Sequence, residues 1–182
     1  KTEEDEFAAR RYTTLDGLAH VVGYLKYPQV DKAGIYYEKN YKAKDGVELS
    51  YDEKLRGKNG LKLRETDVNG KVTSESVIEP PQDGETITLS IDATLTQELY
   101  HSIKILAQSS HFVGGAGVIM DVNTGEVLVL TSYPEYNQND LTEGINQESF
   151  NKLLNSASSP FLVRVVGGLY TPGSIIKPIL AL

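Results

Sequence analysis

Ser174 and Lys177 stand three residues apart in the run Tyr170-Thr171-Pro172-Gly173-Ser174-Ile175-Ile176-Lys177-Pro178. That spacing can build a nucleophile without histidine. On a helix, side chains at i and i+3 share one face. Lys177 then reaches the Ser174 hydroxyl, and an amine stripped of water and of its proton is a general base for it. A helix start adds a positive field and free backbone N–H groups where an oxyanion would form. Pro178 sets the register, because proline is accommodated in a first turn, where its missing N–H leaves no acceptor unpaired. The helix is therefore expected to begin close to Ser174, delivered by the rigid Pro172-Gly173 turn. The plain alternative is a serine that only caps a helix.

Ser-x-x-Lys by itself is a weak pattern, expected by chance roughly once in a couple of hundred positions. Ser149-Phe150-Asn151-Lys152 also fits it. That copy lies in a polar helical stretch, with no proline-glycine entry and no apolar run behind it, and reads as a solvated helix face.

The elements that must hold Ser174 lie in the second half of the chain. Thr86 to Ile91 is predicted to be a strand, and Asp92 or Thr94 to cap the helix that follows. Leu95, Leu99, Ile103 and Leu106 recur at helical spacing and are expected to form its buried stripe. Ala116 to Val122 and Glu126 to Ser132 read as two strands around a tight Asn123-Thr124-Gly125 turn. Both are apolar on nearly every residue, so the hairpin is expected to be covered on both faces by helices. Asp121 invites a catalytic reading, but a hydrogen-bonded residue beside the turn is the simpler one.

The first half offers architecture and little chemistry. Leu18 to Leu25 reads as a strand or buried turn, and residues 28–45 as a surface excursion. Glu48 to Leu55 is predicted to be a short helix stopped by Gly57 and Gly60. Leu61 to Thr66 and Val72 to Val77 flank Asp67-Val68-Asn69-Gly70, a hairpin signal. Tyr12, Tyr24, Tyr27, Tyr36, Tyr37, Tyr41 and Tyr51 mark either a partner surface or, more simply, core and rim packing.

Charge separates the halves. Residues 1–82 carry 14 Lys+Arg against 15 Asp+Glu, and residues 83–182 carry 4 against 10. Glu79-Pro80-Pro81-Gln82-Asp83-Gly84 is a natural joint, since prolines resist both helix and central strand. A net charge of -7 over 182 residues argues against a nucleic-acid partner. With no cysteine there is no disulfide and no thiol chemistry. His20, His101 and His111 lack ligand spacing, so no metal or other cofactor is expected. No apolar stretch is long enough to span a bilayer, and no signal peptide is visible.

From Tyr170 to Pro178 the sequence resembles the active-site entry of penicillin-binding transpeptidases, Tyr-x-Pro-Gly-Ser-x-x-Lys-Pro. Three further stretches resemble the class B branch in the same order: Leu18-Ala19-His20-Val21-Val22-Gly23-Tyr24; Gly46 to Gly60, like Gly-x-Glu-x-x-Tyr-Asp-x-x-Leu-x-Gly-x-x-Gly; and Thr88-Leu89-Ser90-Ile91-Asp92 with Gly117 to Leu128. The resemblance implies an α+β protein: a pedestal or dimerisation module over 1–82, then the start of a transpeptidase/β-lactamase-like α/β/α sandwich with an antiparallel sheet over 83–182. It implies a peptidoglycan D,D-transpeptidase with Ser174 as nucleophile and Lys177 as base, peptidoglycan stem peptides as substrates, β-lactams as inhibitors and cell-wall assembly proteins as partners. It also implies an extracytoplasmic location with an N-terminal membrane anchor. The family's later Ser-x-Asn and Lys-(Ser/Thr)-Gly motifs do not follow Ser174, and the chain reads as a piece of a longer protein that is inactive on its own. Arg164 falls where the family often has an arginine before the serine motif, either organising the loop to Ser174 or lying on the surface. Gly167 and Gly168 permit a tight backbone path. A β-lactamase or β-lactam sensor, or a non-catalytic scaffold, remains an alternative.

Overall fold

The computed structural model describes residues 10–27, 29–30, 36–38, 41–67 and 71–181. These divide into two compact units. One holds Val22–Leu89 with Thr142–Gly144; the other holds the described residues up to Val21 with Ser90–Leu141 and those from Ile145 onward.

Helix α1 (Ala19–Val22) leads into strand β1 (Leu25–Lys26), which pairs antiparallel with β4 (Lys42–Ala43); β2 (Gln29–Val30) pairs with β3 (Tyr36–Glu38). The expected surface excursion thus contains short strands, with residues 28, 31–35 and 39–40 outside the described ones. Helix α2 (Gly46–Ser50) starts where the Asp45 carboxylate accepts the Gly46 N–H at 2.9 Å, and α3 (Asp52–Leu55) follows at once. Strands β5 (Leu61–Thr66) and β6 (Val72–Glu79) form the predicted hairpin, with Leu63 opposite Ser76 and Glu65 opposite Ser74. Its turn residues Val68, Asn69 and Gly70 lie outside the described residues.

The proline stretch is not a free joint. Lys58 and Gln82 exchange both backbone hydrogen bonds, at 2.8 and 2.9 Å, and Glu85 N–H donates to the Lys54 carbonyl at 2.8 Å. The two backbones run so close that a Cβ at Gly57 would strike the Gln82 carbonyl, and one at Gly84 the Leu55 carbonyl. Gly57 also has φ of +67°, where a side chain is strained. Gly57 and Gly84 are therefore backbone-packing positions, as is Gly60, where a Cβ would meet the Glu79 carbonyl at 2.7 Å. Prolines 80 and 81 interrupt the ladder of β6, and the residues after them resume pairing with the end of α3.

In the second unit, α4 (Ala93–Ser110) is capped by Asp92, whose carboxylate accepts the Leu95 N–H at 2.9 Å. Strands β7 (Gly115–Met120) and β8 (Val127–Tyr133) pair antiparallel, Gly117 opposite Thr131 and Ala116 opposite Ser132. Thr96, Tyr100 and Ala107 are the buried line of α4, and Leu99 and Ile103 close onto Gly117 and Gly115. Leu95 and Leu106 are 38% and 58% exposed, so the buried stripe is rotated from the expected one toward Thr96 and Ala107. Thr86 to Ile91 is not a strand: a single backbone bond, Asp92 N–H to the Leu128 carbonyl at 2.8 Å, does not make a ladder.

The helices α5 (Gln138–Glu143), α6 (Gln147–Leu154) and α7 (Arg164–Gly167) follow β8. Helix α7 meets the sheet on the face opposite α4, where its Val165 N–H donates to the buried Ser132 hydroxyl at 3.3 Å. Helix, sheet and helix make the expected α/β/α order in an α+β chain. Cover is incomplete, because Val118 and Met120 stay 49% and 53% exposed on the outer face of β7.

Residues 12–20 are a strap on this second unit. The Asn139 side chain clamps Tyr12, accepting its N–H at 2.9 Å and donating to its carbonyl at 3.3 Å. The Glu135 carboxylate accepts the N–H groups of Gly17 at 2.6 Å and Ala19 at 2.9 Å. Thr131 donates to the Gly17 carbonyl at 3.0 Å, and His20 Nε2 to the Pro160 carbonyl at 2.8 Å. The strap precedes the first unit in sequence but packs with the second.

Gly57→Val should lower the stability of the first unit by more than about 1 kcal/mol, because the native conformation is closed to the new side chain. Calorimetry is expected to show its transition displaced while the transition of the second unit stays. Displacement of both together would contradict the division.

Candidate active site at the Ser174 turn

The turn that carries Ser174 follows from a missing donor. In a regular α-helix the N–H of residue 178 would bond the carbonyl of residue 174, but Pro178 has none. The Ser174 carbonyl instead accepts the N–H of Lys177, an i to i+3 bond, and Gly173–Ile176 is a 3₁₀ turn. Regular helix α8 (Lys177–Leu180) starts only there, with proline in its first positions. The expectation of a helix start near Ser174 is thus refined into two stages. In a 3₁₀ turn side chains at i and i+3 eclipse, so Ser174 and Lys177 project from one face.

Pro172 has φ of -67° and ψ of -22° and opens the turn. Gly173 has φ of +57°, with nothing within 4 Å of where a Cβ would stand. The glycine is required by its backbone angle and not by crowding. Ser174 and Lys177 are both exposed. Gly168 sits under the Tyr170 ring, and its N–H returns to the Arg164 carbonyl at 3.3 Å.

The other serine-lysine pair lies on α6, whose cap Asn146 accepts the Ser149 N–H at 2.8 Å. Lys152 there pairs with Glu148 at 2.8 Å in solvent, so this copy is a solvated helix face. Asp121 accepts the N–H groups of Asn123 at 2.7 Å and Thr124 at 3.2 Å, which hold its carboxyl below the ordinary value. It shapes the β7–β8 turn. His101 pairs with Asp16 at 3.2 Å, His111 ends α4 in the left-handed region, and His20 belongs to the strap. Among the described residues no group of three or more His, Asp or Glu could hold a metal ion. None of their helices is long and apolar enough to cross a membrane.

Arg164, expected either to organise the loop to Ser174 or to lie on the surface, is not on the surface, and Glu135 escaped the sequence reading altogether. Arg164 is buried, at 6% exposure, and its guanidinium donates to the carbonyls of Ser158, Ser159 and Leu162. Glu135 is the strap's main acceptor and lines a polar cavity of about 260 Å³ with Asp16, Tyr100, Lys104 and Asn137, to which Ser174 and Lys177 do not contribute. Glu135 has no local signal, because its partners Gly17 and Ala19 are 118 and 116 residues away.

A family model of the penicillin-binding protein dimerisation domain matches residues 4–89, and one of the penicillin-binding protein transpeptidase domain matches residues 115–182. The chain belongs to the penicillin-binding proteins. It carries the dimerisation domain of the class B branch ahead of the transpeptidase domain. The peptidoglycan D,D-transpeptidase MrdA of Salmonella typhimurium is 32% identical over 189 residues, covering 98% of this chain and 29% of that protein. The Helicobacter pylori penicillin-binding protein PBP2 superposes with a TM-score of 0.65 at 31% identity, over 92% of this chain and 31% of that one. The same protein in complex with MreC gives 0.60 at 31% identity, over 90% and 30%. The chain therefore spans less than a third of the length of these relatives.

Burial raises the Glu135 carboxyl above its ordinary value, against the opposing Gly17 and Ala19 N–H groups, with Asp16 adding to the rise and Lys104 countering it. The folded chain then holds the proton more tightly than the unfolded one. Stability of the second unit should fall as pH rises from the ordinary glutamate range through the raised value. In Glu135→Gln that slope should vanish while the melting temperature drops, one N–H having lost its acceptor. An unchanged slope would contradict the assignment.

Proposed function

We propose that the parent protein is a serine-type peptidoglycan D,D-transpeptidase in which Ser174 is the nucleophile and Lys177 its general base. The observation that carries this reading is the hydrogen bond from Lys177 N–H to the Ser174 carbonyl, which aligns the two side chains on one face. Membership of the penicillin-binding proteins and the MrdA relative support the substrate class.

Ser174 Oγ attacks the carbonyl of the penultimate D-alanine of a stem peptide, and Lys177 Nζ takes the hydroxyl proton. The tetrahedral intermediate collapses with loss of the terminal D-alanine, whose nitrogen receives a proton. An amine of a neighbouring strand then attacks the acyl-serine carbonyl, giving up a proton to Lys177 Nζ, and the cross-link forms as the bond to Ser174 Oγ breaks and that oxygen regains a proton. The Ser174 N–H stands in the first turn of the 3₁₀ segment, where backbone donors lack intrahelical acceptors, and supplies one half of the oxyanion hole. β-Lactams acylate the same hydroxyl. Lys177 acts as a base only when a wall excludes water from its amine.

On this reading residues 1–82 serve as a pedestal and residues 83–182 begin the transpeptidase domain, with the strap fastened to the latter. The protein works on the periplasmic side of the membrane, held by an N-terminal anchor. Its partners are cell-wall assembly proteins, for which the MreC complex of the Helicobacter pylori relative is the precedent.

In the full-length protein, Ser174→Ala should abolish labelling by a fluorescent penicillin and Ser149→Ala should leave it nearly intact. Lys177→Ala should suppress labelling without unfolding the protein. The 182-residue chain alone, with both side chains exposed, should acylate slowly or not at all by intact mass. Undiminished labelling of Ser174→Ala would sink the nucleophile assignment.

A further inference from the structure

We infer that Arg164, ten residues before the nucleophile, is a positioning residue for Ser174, a task shared with the Ser132 hydroxyl. The inference rests on the proposed role of Ser174.

A buried guanidinium is expensive unless its donors are satisfied. Among the described residues Arg164 meets no carboxylate, only carbonyls. Nη1 donates to Ser159 O at 3.2 Å and toward Leu162 O at 3.5 Å, and Nη2 donates to Ser158 O. These bonds bracket Ser159, whose φ of +43° is unusual for a residue with a side chain. A backbone held in a sparsely populated region needs surroundings that over-determine it. Arg164 supplies them with the rigid fork that arginine alone presents.

The same side chain is wedged against the sheet. A Cβ at Gly114 would come within 2.5 Å of Arg164 Nε and 2.8 Å of Cζ, so the guanidinium lies on the backbone where β7 begins. One residue further, Val165 N–H donates to Ser132 Oγ, fully buried on β8. The first turn of α7 is thus tied to both strands and to the loop before it. Its far end carries the nucleophile turn: Gly168 N–H returns to the Arg164 carbonyl, and the Tyr170 ring packs over Gly168. From Tyr170 the chain needs only Thr171, Pro172 and Gly173 to reach Ser174. The residue that anchors α7 therefore sets where the Ser174–Lys177 face stands relative to the sheet. A hydrophobic residue would fill the space without the directional bonds, and lysine would supply the charge without the fork.

The test measures penicillin acylation of the full-length protein by stopped flow, resolving the binding constant from the acylation rate constant, with labelling stoichiometry and melting temperature alongside. Arg164→Lys should stay folded, label to full stoichiometry, and bind penicillin nearly as the parent does. Its acylation rate constant should fall ten- to a hundredfold, the scale of loss for a misplacement of about 1 Å. Ser132→Ala should shift the same constant in the same direction by a smaller factor. Should Arg164→Lys fail to fold, folded Ser132→Ala decides. A parental rate constant in the folded variants overturns the inference. So does a loss seen only as reduced stoichiometry, which would mark a purely structural role. Failure of the nucleophile assignment is separable, because it appears as labelling in Ser174→Ala whatever Arg164 does.

Discussion

A hydrogen bond that cannot form organises the end of this chain. Pro178 offers no N–H to the Ser174 carbonyl, so that carbonyl turns to Lys177 and the turn tightens to 3₁₀. In an α-helix the i and i+3 side chains diverge by about 60°, and in a 3₁₀ turn they eclipse. The proposed pairing of serine and lysine draws on that backbone geometry. Gly173 in the left-handed region and Pro172 before it deliver the chain into that turn.

Behind the turn the second unit relies on buried polar groups as much as on apolar packing. Arg164 gathers carbonyls, Ser132 anchors α7, and Glu135 with Asn139 fastens the strap. Each such contact is modest in net stability but costly to leave half made. That asymmetry makes them register devices: another placement of the strap or of α7 would leave these bonds unmade. Packing alone would not select the observed placement, since the outer face of β7 leaves Val118 and Met120 exposed.

What could be read from the sequence was local. The cap Asp92, the hairpin of β5 and β6, the Asp121 turn and the helix start near Ser174 each depend on residues within a few positions of one another. The family match to both modules agrees with the collinear motifs. The buried face of α4 was displaced, because Leu95 and Leu106 flank the face that Thr96, Tyr100 and Ala107 bury, and periodicity does not distinguish adjacent lines on a helix. Pro80 and Pro81 suggested a joint, yet the backbone around them zips onto Gly57. The strap was invisible because its hydrogen bonds join residues more than a hundred positions apart, and an arginine in sequence gives no sign that carbonyls await it.

The most direct test of the alignment is Pro178→Ala in the full-length protein, with the acylation rate constant measured beside the melting temperature. An alanine restores the donor, so the Ser174 carbonyl can take the i to i+4 bond and the turn can relax into α-helix. The account predicts a melting temperature held or raised and an acylation rate constant lowered about tenfold or more. A parental rate constant with the turn relaxed would show that the eclipsed geometry is not what joins Ser174 to Lys177.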